Sequence, residues 1–346
     1  MFHPAIMATA ERIMENPEHS VSFEEACRLA EVSELRPVDL LACADAIRSH
    51  YQKQRVFTCA IRNAKSGLCR ENCAFCAQSA HHRTQVQTYP LLSEEELVQD
   101  ALRMREAGAT HYSMVTSGFA LTDKELERIS RAAEAIGKQT DLRICASLGV
   151  LTEVRARRLK DSGVVRYHHN LETARSHFAK ICTTHDYEED LDTLRVARAA
   201  GLEVCSGGIM GLGETWAQRV ELAFTLRELE VDSVPINFLN PIPGTRMENR
   251  ALLPPMEALR CIALFRFIHP RKDITVCGGR GVTLKDYQSW VFMAGANGLM
   301  IGDYLTTKGR SVEMDMEMIA AMGLERKASA SPVTPPSQPV RWRHNR

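Results

Sequence analysis

The 346-residue sequence has no uninterrupted apolar run near the ~18 residues that a membrane-spanning helix requires, so no membrane partner is expected. It has no surplus charge of either sign, because 43 Lys and Arg balance 43 Asp and Glu. That balance removes the electrostatic case for a nucleic-acid partner. The opening stretch MFHPAIMATAERIMENPEHS lacks the apolar segment of a secretory signal, being broken by charges and prolines. A cytoplasmic, reducing location is therefore expected. There the 11 cysteines serve as metal ligands or buried apolar residues rather than as disulfides. One further absence is local. The stretch SGLCRENCAFCAQS, Ser66 to Ser79, holds Cys69, Cys73 and Cys76 but no fourth cysteine. Structural zinc takes four ligands and a disulfide framework takes an even number, so the trio suits neither.

What is present has a clear organisation. Residues 1–54 read as a helical segment, with Ser22 and Glu25 forming a capping-box pattern before SFEEACRLAEV and helical spacing in PVDLLACADAIRSHYQKQ. From residue 55 short β-prone runs alternate with amphipathic stretches. The runs are VFTCAIRNA, HYSMVTSG, LRICASLG, VRYHHNLET, EVCSGGIMG, SVPINFLN, DITVCGGR and GLMIGD. Ser93 with Glu96 and Thr122 with Glu125 mark helix starts between them, and the glycines of REAGA, AAEAIGK and RAAGLE mark helix ends. Alternating strands and helices imply βαβ units and a parallel sheet. The count of runs favours an α/β fold of the (β/α)8 TIM-barrel type over residues 55–324, with an open doubly wound sheet as the alternative. Residues 325–346, rich in Pro and Ser and without periodicity, read as a disordered tail.

Three thiolates can hold a four-iron cubane and leave one iron open. The cysteine loop follows the first strand run, so it would stand at the C-terminal mouth of a barrel, where active sites of this fold are built. An open iron there can bind S-adenosylmethionine through its amino and carboxylate groups. The CxxxCxxC spacing, with Phe75 before the last cysteine, resembles the radical S-adenosylmethionine superfamily. Within it, residues 55–324 resemble the biotin synthases through CAFCAQS, YHHNLET, ICTTHDYEEDLDTL, VCSGGIMGLGET, SVPINFLNPIPGT and FMAGANGLMIGDYLTT. The resemblance implies insertion of sulfur into dethiobiotin. It also implies a 4Fe-4S cluster with S-adenosyl-L-methionine, and a buried auxiliary iron–sulfur cluster as the sulfur donor. An electron donor such as flavodoxin or ferredoxin, and a homodimer, are expected with it.

Residue assignments follow from both sources. Cys69, Cys73 and Cys76 are the expected ligands of the radical-generating cluster. Strand alternation points every second residue inward, and Cys145 and Cys205 fall in the third and fifth runs, where the resemblance places auxiliary ligands. At the two other auxiliary positions this chain has Ser113 and Thr275, which are poor soft ligands. Cys59, in the first run, and Cys277, two residues after Thr275, are the soft substitutes nearest by strand order. The auxiliary cluster is therefore either 2Fe-2S or a differently ligated form. His168, Asn170 and Glu172 share one parity, and three inward polar groups need a polar ligand. The resemblance assigns Asn170 and Glu172 to S-adenosylmethionine and His168 and Asn237 to dethiobiotin. Phe75, Thr116 and Ser117 are expected beside the cofactor. The glycines of SGGIMGLGE read as points of close backbone approach. Cys27, Cys43, Cys182 and Cys261 read as structural, and no single catalytic residue is assigned. A sister enzyme of the hydrogenase-maturation or methylornithine type, or a non-catalytic iron–sulfur protein, stays open.

Overall fold

The computed structural model describes residues 2–18 and 21–326. The chain starts with helices α1 (Pro4–Glu15), α2 (Phe23–Leu35) and α3 (Pro37–Gln52). Ten strands follow among the described residues: β1 (Arg55–Lys65), β2 (His111–Thr116), β3 (Arg143–Ser147), β4 (Arg166–His168), β5 (Glu203–Cys205), β6 (Gly208–Met210), β7 (Ser233–Phe238), β8 (Asp273–Val276), β9 (Gly298–Met300) and β10 (Glu325–Arg326). Every pairing between these strands is parallel, and β9 returns to β1 through Thr58 opposite Leu299, which closes the sheet into a barrel. The open-sheet alternative is thereby excluded.

The fifth barrel strand is split into β5 and β6. β7 carries Pro235, which has no N–H to give to a ladder. The chain pairs at Cys205 with Ser233, then again at Gly208 with Ile236, and breaks at Ser206–Gly207 between them. A side chain at Gly207 would collide with the Pro235 carbonyl, and one at Gly208 with the Glu172 carbonyl. These glycines thus bring three backbones together.

The outer layer comprises α4 (Glu94–Glu106), α5 (Asp123–Gln139), α6 (Glu153–Asp161), α7 (Arg175–Phe178), α8 (Tyr187–Ala199), α9 (Trp216–Glu228), α10 (Pro255–Ile268), α11 (Arg280–Leu284), α12 (Trp290–Met293) and α13 (Val312–Ala321). Complete capping boxes form at Ser22, Ser93 and Thr122, as their spacing predicts. Gly108 and Gly201 take left-handed conformations just after helices, whereas Gly137 stays helical and α5 runs on to Gln139. Thr140 ends that helix instead, its hydroxyl donating to the Ile136 carbonyl at 3.0 Å.

α10 is buried from Ala258 to Ile268 because α2 and α3 cover the face that the barrel leaves open. Arg260 on α10 donates to Ser33 Oγ and the Ala30 carbonyl, which ties the N-terminal helices to the barrel. At the other end of the chain, β10 pairs with Arg55 and Val56 of β1. The expected disordered tail therefore gives its first two residues to the sheet, and its remainder, 327–346, lies outside the described residues. Among the described residues no helix is long and apolar enough to cross a membrane.

Candidate active site

The loop after β1 carries the three clustered cysteines to the C-terminal mouth of the barrel. Two successive left-handed residues, Gly67 and Leu68, turn it there. Cys69 N donates to the Gln78 carbonyl at 3.0 Å and Ala80 N returns a bond to the Cys69 carbonyl at 2.7 Å, which folds the loop on itself. Distant segments brace it. Asn72 Nδ2 donates to Thr183 Oγ1 at 2.7 Å, and Arg246 Nη2 donates to the carbonyls of Asn72 and Ile181. Cys69, Cys73, Cys76 and Phe75 line one cavity of about 430 Å³ that runs down into the barrel.

A fourth sulfur does reach this mouth. Cys182 Sγ, expected to be structural, lies 3.8 Å from Cys73 Sγ and lines the same cavity. Glu71, Cys182 and His185 bring their ligand atoms within 4.8 Å of one another. His185 Nδ1 contacts Glu71 Oε2 at 2.6 Å, and its Nε2 lies 3.5 Å from Asp190 Oδ2. Burial works against its charge, but Asp190, Cys182 and Glu71 overcome it and lift the imidazole to about 11. Cys182 is pulled down to about 3, first by the bond with Cys73 and then, against burial, by His185 and Thr184. Both shifts favour separated charge, negative on sulfur and positive on the ring. Asp190 also accepts from His169 Nε2 at 2.7 Å. Nothing in the periodicity of ICTTHDYEEDLDTL marks these residues, because most of them lie on an irregular connection rather than a strand.

Lower in the cavity is the polar run after β4. His168, Asn170 and Glu172 all line it, as their shared parity predicts, although β4 itself ends at His168. His168 Nδ1 lies 3.4 Å from Cys205 Sγ, and burial lowers the imidazole to about 4, so the ring is neutral. Asn170 accepts from Gly207 N at 3.2 Å and donates to Glu172 Oε2 at 3.3 Å. Glu172 sits at φ 61, a left-handed conformation that costs a non-glycine residue about 1 kcal/mol. Its N–H bond to the Gly207 carbonyl and its carbonyl bond from Ile209 N hold it there. Burial, then the charge on Asp190, raises its carboxyl to about 8. Across the cavity Asn237 accepts from Gly278 N at 2.9 Å and spends one amide hydrogen on the Gly208 carbonyl at 3.3 Å. Its other amide hydrogen is left for a ligand. Thr116 also lines the cavity, whereas the Ser117 hydroxyl turns to the Gly67 carbonyl at 2.8 Å and supports the cysteine loop.

The same cavity is lined at depth by Cys59, Cys145, Cys205 and Cys277, together with Ser113 and Thr275. Burial raises all four thiols, and Cys59 feels Cys145, Cys277 and Cys205 in turn. Ser113 Oγ is buried there without a hydrogen-bond partner. Soft sulfurs converging beside an unpaired hydroxyl suit an iron–sulfur cluster better than an apolar filling. The three mouth cysteines, which share the cavity with Glu172 and Asn170, suit a cluster of the three-thiolate kind. Arg166 completes the floor, bonded to Glu203 and facing Asp273.

Comparison with known proteins agrees with this arrangement. The sequence matches the Radical SAM superfamily over residues 65–226 and the Biotin and Thiamin Synthesis associated domain over residues 235–325. It is 61% identical to a biotin synthase of Syntrophus aciditrophicus, over 90% of this chain and 95% of that one. It is 52% identical to a biotin synthase of Nitratidesulfovibrio vulgaris, over 90% of this chain and 88% of the relative. The crystal structure of a methylornithine synthase superposes with a TM-score of 0.80 over 93% of this chain and 98% of that one, but at 17% identity it speaks only for the fold. The methylornithine and hydrogenase-maturation enzymes resemble the chain at 17–18% identity, in fold alone, whereas by its sequence the chain belongs to the biotin synthase family of the radical S-adenosylmethionine superfamily.

Proposed function

We propose that the chain converts dethiobiotin to biotin, with the inserted sulfur drawn from an auxiliary cluster on Cys59, Cys145, Cys205 and Cys277. The observation that carries this reading is one cavity with a three-cysteine mouth, a four-cysteine depth and polar side chains between them. A 4Fe-4S cluster on Cys69, Cys73 and Cys76 with S-adenosylmethionine would supply radical chemistry. The chain's own residues bind and orient. Asn170 and Glu172 offer an amide and a carboxylate to the cofactor, and the cysteine mouth with Phe75 walls it from bulk water. The free amide hydrogen of Asn237 suits the ureido carbonyl of dethiobiotin. His168, neutral and beside Cys205, can accept a hydrogen bond from the substrate ring without adding charge.

Four soft sulfurs at depth leave Ser113 and Thr275 as neighbours rather than ligands, which favours a differently ligated auxiliary cluster over the familiar 2Fe-2S form. Residues 55–324 form the catalytic unit in this reading and residues 1–54 a helical brace. A flavodoxin- or ferredoxin-type electron donor, a homodimer and a cytoplasmic location remain expectations that accompany it. The test is anaerobic incubation of reconstituted protein with dethiobiotin and S-adenosylmethionine, followed by mass spectrometry. Wild type should yield biotin and 5′-deoxyadenosine, and Cys73→Ala neither. Cofactor cleavage without any biotin would overturn sulfur insertion.

A further inference from the structure

The cavity holds many sulfurs and carboxylates but very little positive charge. Among the described residues that line it, Arg166 is the one lysine or arginine. It stands on β4 as the partner of Cys145 on β3 and of Glu203 on β5, with Cys205 two residues beyond Glu203. Its side chain is 8% exposed. Nε donates to Glu203 Oε2 at 2.9 Å, and Nη2 reaches Glu203 at 2.8 Å and Asp273 at 3.7 Å. Glu203 is in turn bonded by Arg143. The guanidinium is therefore fixed by carboxylates from two further strands.

We infer that Arg166 is a positioning residue for the auxiliary cluster, supplying the buried positive charge that holds its thiolates and raises its reduction potential. The inference rests on the proposed auxiliary cluster and assigns it a part that no cysteine can play. A cluster on four thiolates keeps a net negative charge even after its irons are counted, and burying that charge is costly unless a further cation lies close by. Arg166 is the β3–β4 partner of Cys145 and lines the same cavity as all four deep cysteines. A cluster gains negative charge on reduction, so a fixed cation beside it favours the reduced form. An arginine that only closed the barrel floor would affect folding without singling out one of the two clusters.

The experiment measures iron, sulfide and both cluster potentials by spectroelectrochemical titration of the holoprotein. The variants are Arg166→Met, Arg166→Lys and the charge-balanced Arg166→Met/Glu203→Gln. With methionine, reduction of the auxiliary cluster should become at least tenfold less favourable, about 59 mV more negative for one electron. The mouth cluster should not move, and lysine should restore most of the shift. Loss of the auxiliary cluster from both methionine variants, with retention in the lysine variant, also supports the assignment. An unchanged auxiliary potential in an Arg166→Met single variant that keeps the cluster overturns it, as does equal cluster loss with lysine. Wild-type protein that takes up only the mouth cluster overturns the underlying reading of the deep cysteines, and this inference with it.

Discussion

Binding of S-adenosylmethionine should release a proton, with Glu172 as its source. Burial and then Asp190 raise the carboxyl to about 8, while the Asn170 amide and His185 pull it back. At pH 7 a group with that value is roughly 90% protonated. S-Adenosylmethionine brings a sulfonium charge into the cavity, and a cation beside a carboxyl favours the ionised form. Ionising Glu172 at pH 7 costs about 1.4 kcal/mol, so affinity should rise about tenfold between pH 7 and pH 9 and then level off. Calorimetry of the cluster-loaded protein at pH 7, in buffers with different heats of protonation, counts the proton. The cofactor's own ammonium also loses a proton when it binds the open iron, so the expected signature is a release about 0.9 greater for wild type than for Glu172→Gln, with weaker binding in the variant. The same shift affects stability. The folded, cofactor-free chain keeps a proton that the unfolded chain loses above 4.5, so stability falls as pH rises from 4.5 toward 8. Glu172 faces a water-accessible cavity, which tempers the effect, and Glu172→Gln should gain about 2 kcal/mol over wild type at pH 8 and nothing at pH 4. A wild-type proton count near zero, or one that glutamine leaves unchanged, would refute the reasoning.

Cys59→Ala should lower auxiliary iron and block biotin formation while 5′-deoxyadenosine still appears, whereas Ser113→Ala should do much less. Iron assay and product analysis decide the order, and an essential Ser113 beside a silent Cys59 would return the cluster to the familiar ligand positions. Truncation after Arg326 should leave both clusters and activity intact. Truncation after Leu324 removes the pairing of β10 with β1 and the Arg326 bond to the Gly108 carbonyl, and should cost about 1 kcal/mol in a denaturation series.

The barrel was legible because its signals are local. Capping boxes at Ser22, Ser93 and Thr122 need only three-residue spacing, and each strand run announces itself within a few residues. Gly137 misled because a glycine can stop a helix or simply occupy one, and the outcome depended on Thr140. The cysteines of the mouth and depth were readable by spacing and alternation. Cys182 and His185 were not, since their place beside Cys73 depends on bonds such as Asn72–Thr183, across 111 residues of chain. Arg166 was equally hidden. Its own strand is short, and only the barrel's closure shows that its side chain shares a cavity with sulfurs from four other strands.

The long-range bracing of the cysteine loop also has a consequence for synthesis. The three mouth ligands lie close together, yet the guanidinium that bonds the Asn72 carbonyl is 174 residues downstream at Arg246. At about 5–20 residues per second that gap lasts roughly 10–35 s, during which the cysteine loop is without that support. A nascent chain stalled before Arg246 should retain iron at the mouth less well than one stalled after β9, and metal retention by the two stalled chains measures it. Loading of the first cluster is then a late event, timed by the arrival of the second half of the barrel rather than by the appearance of its ligands.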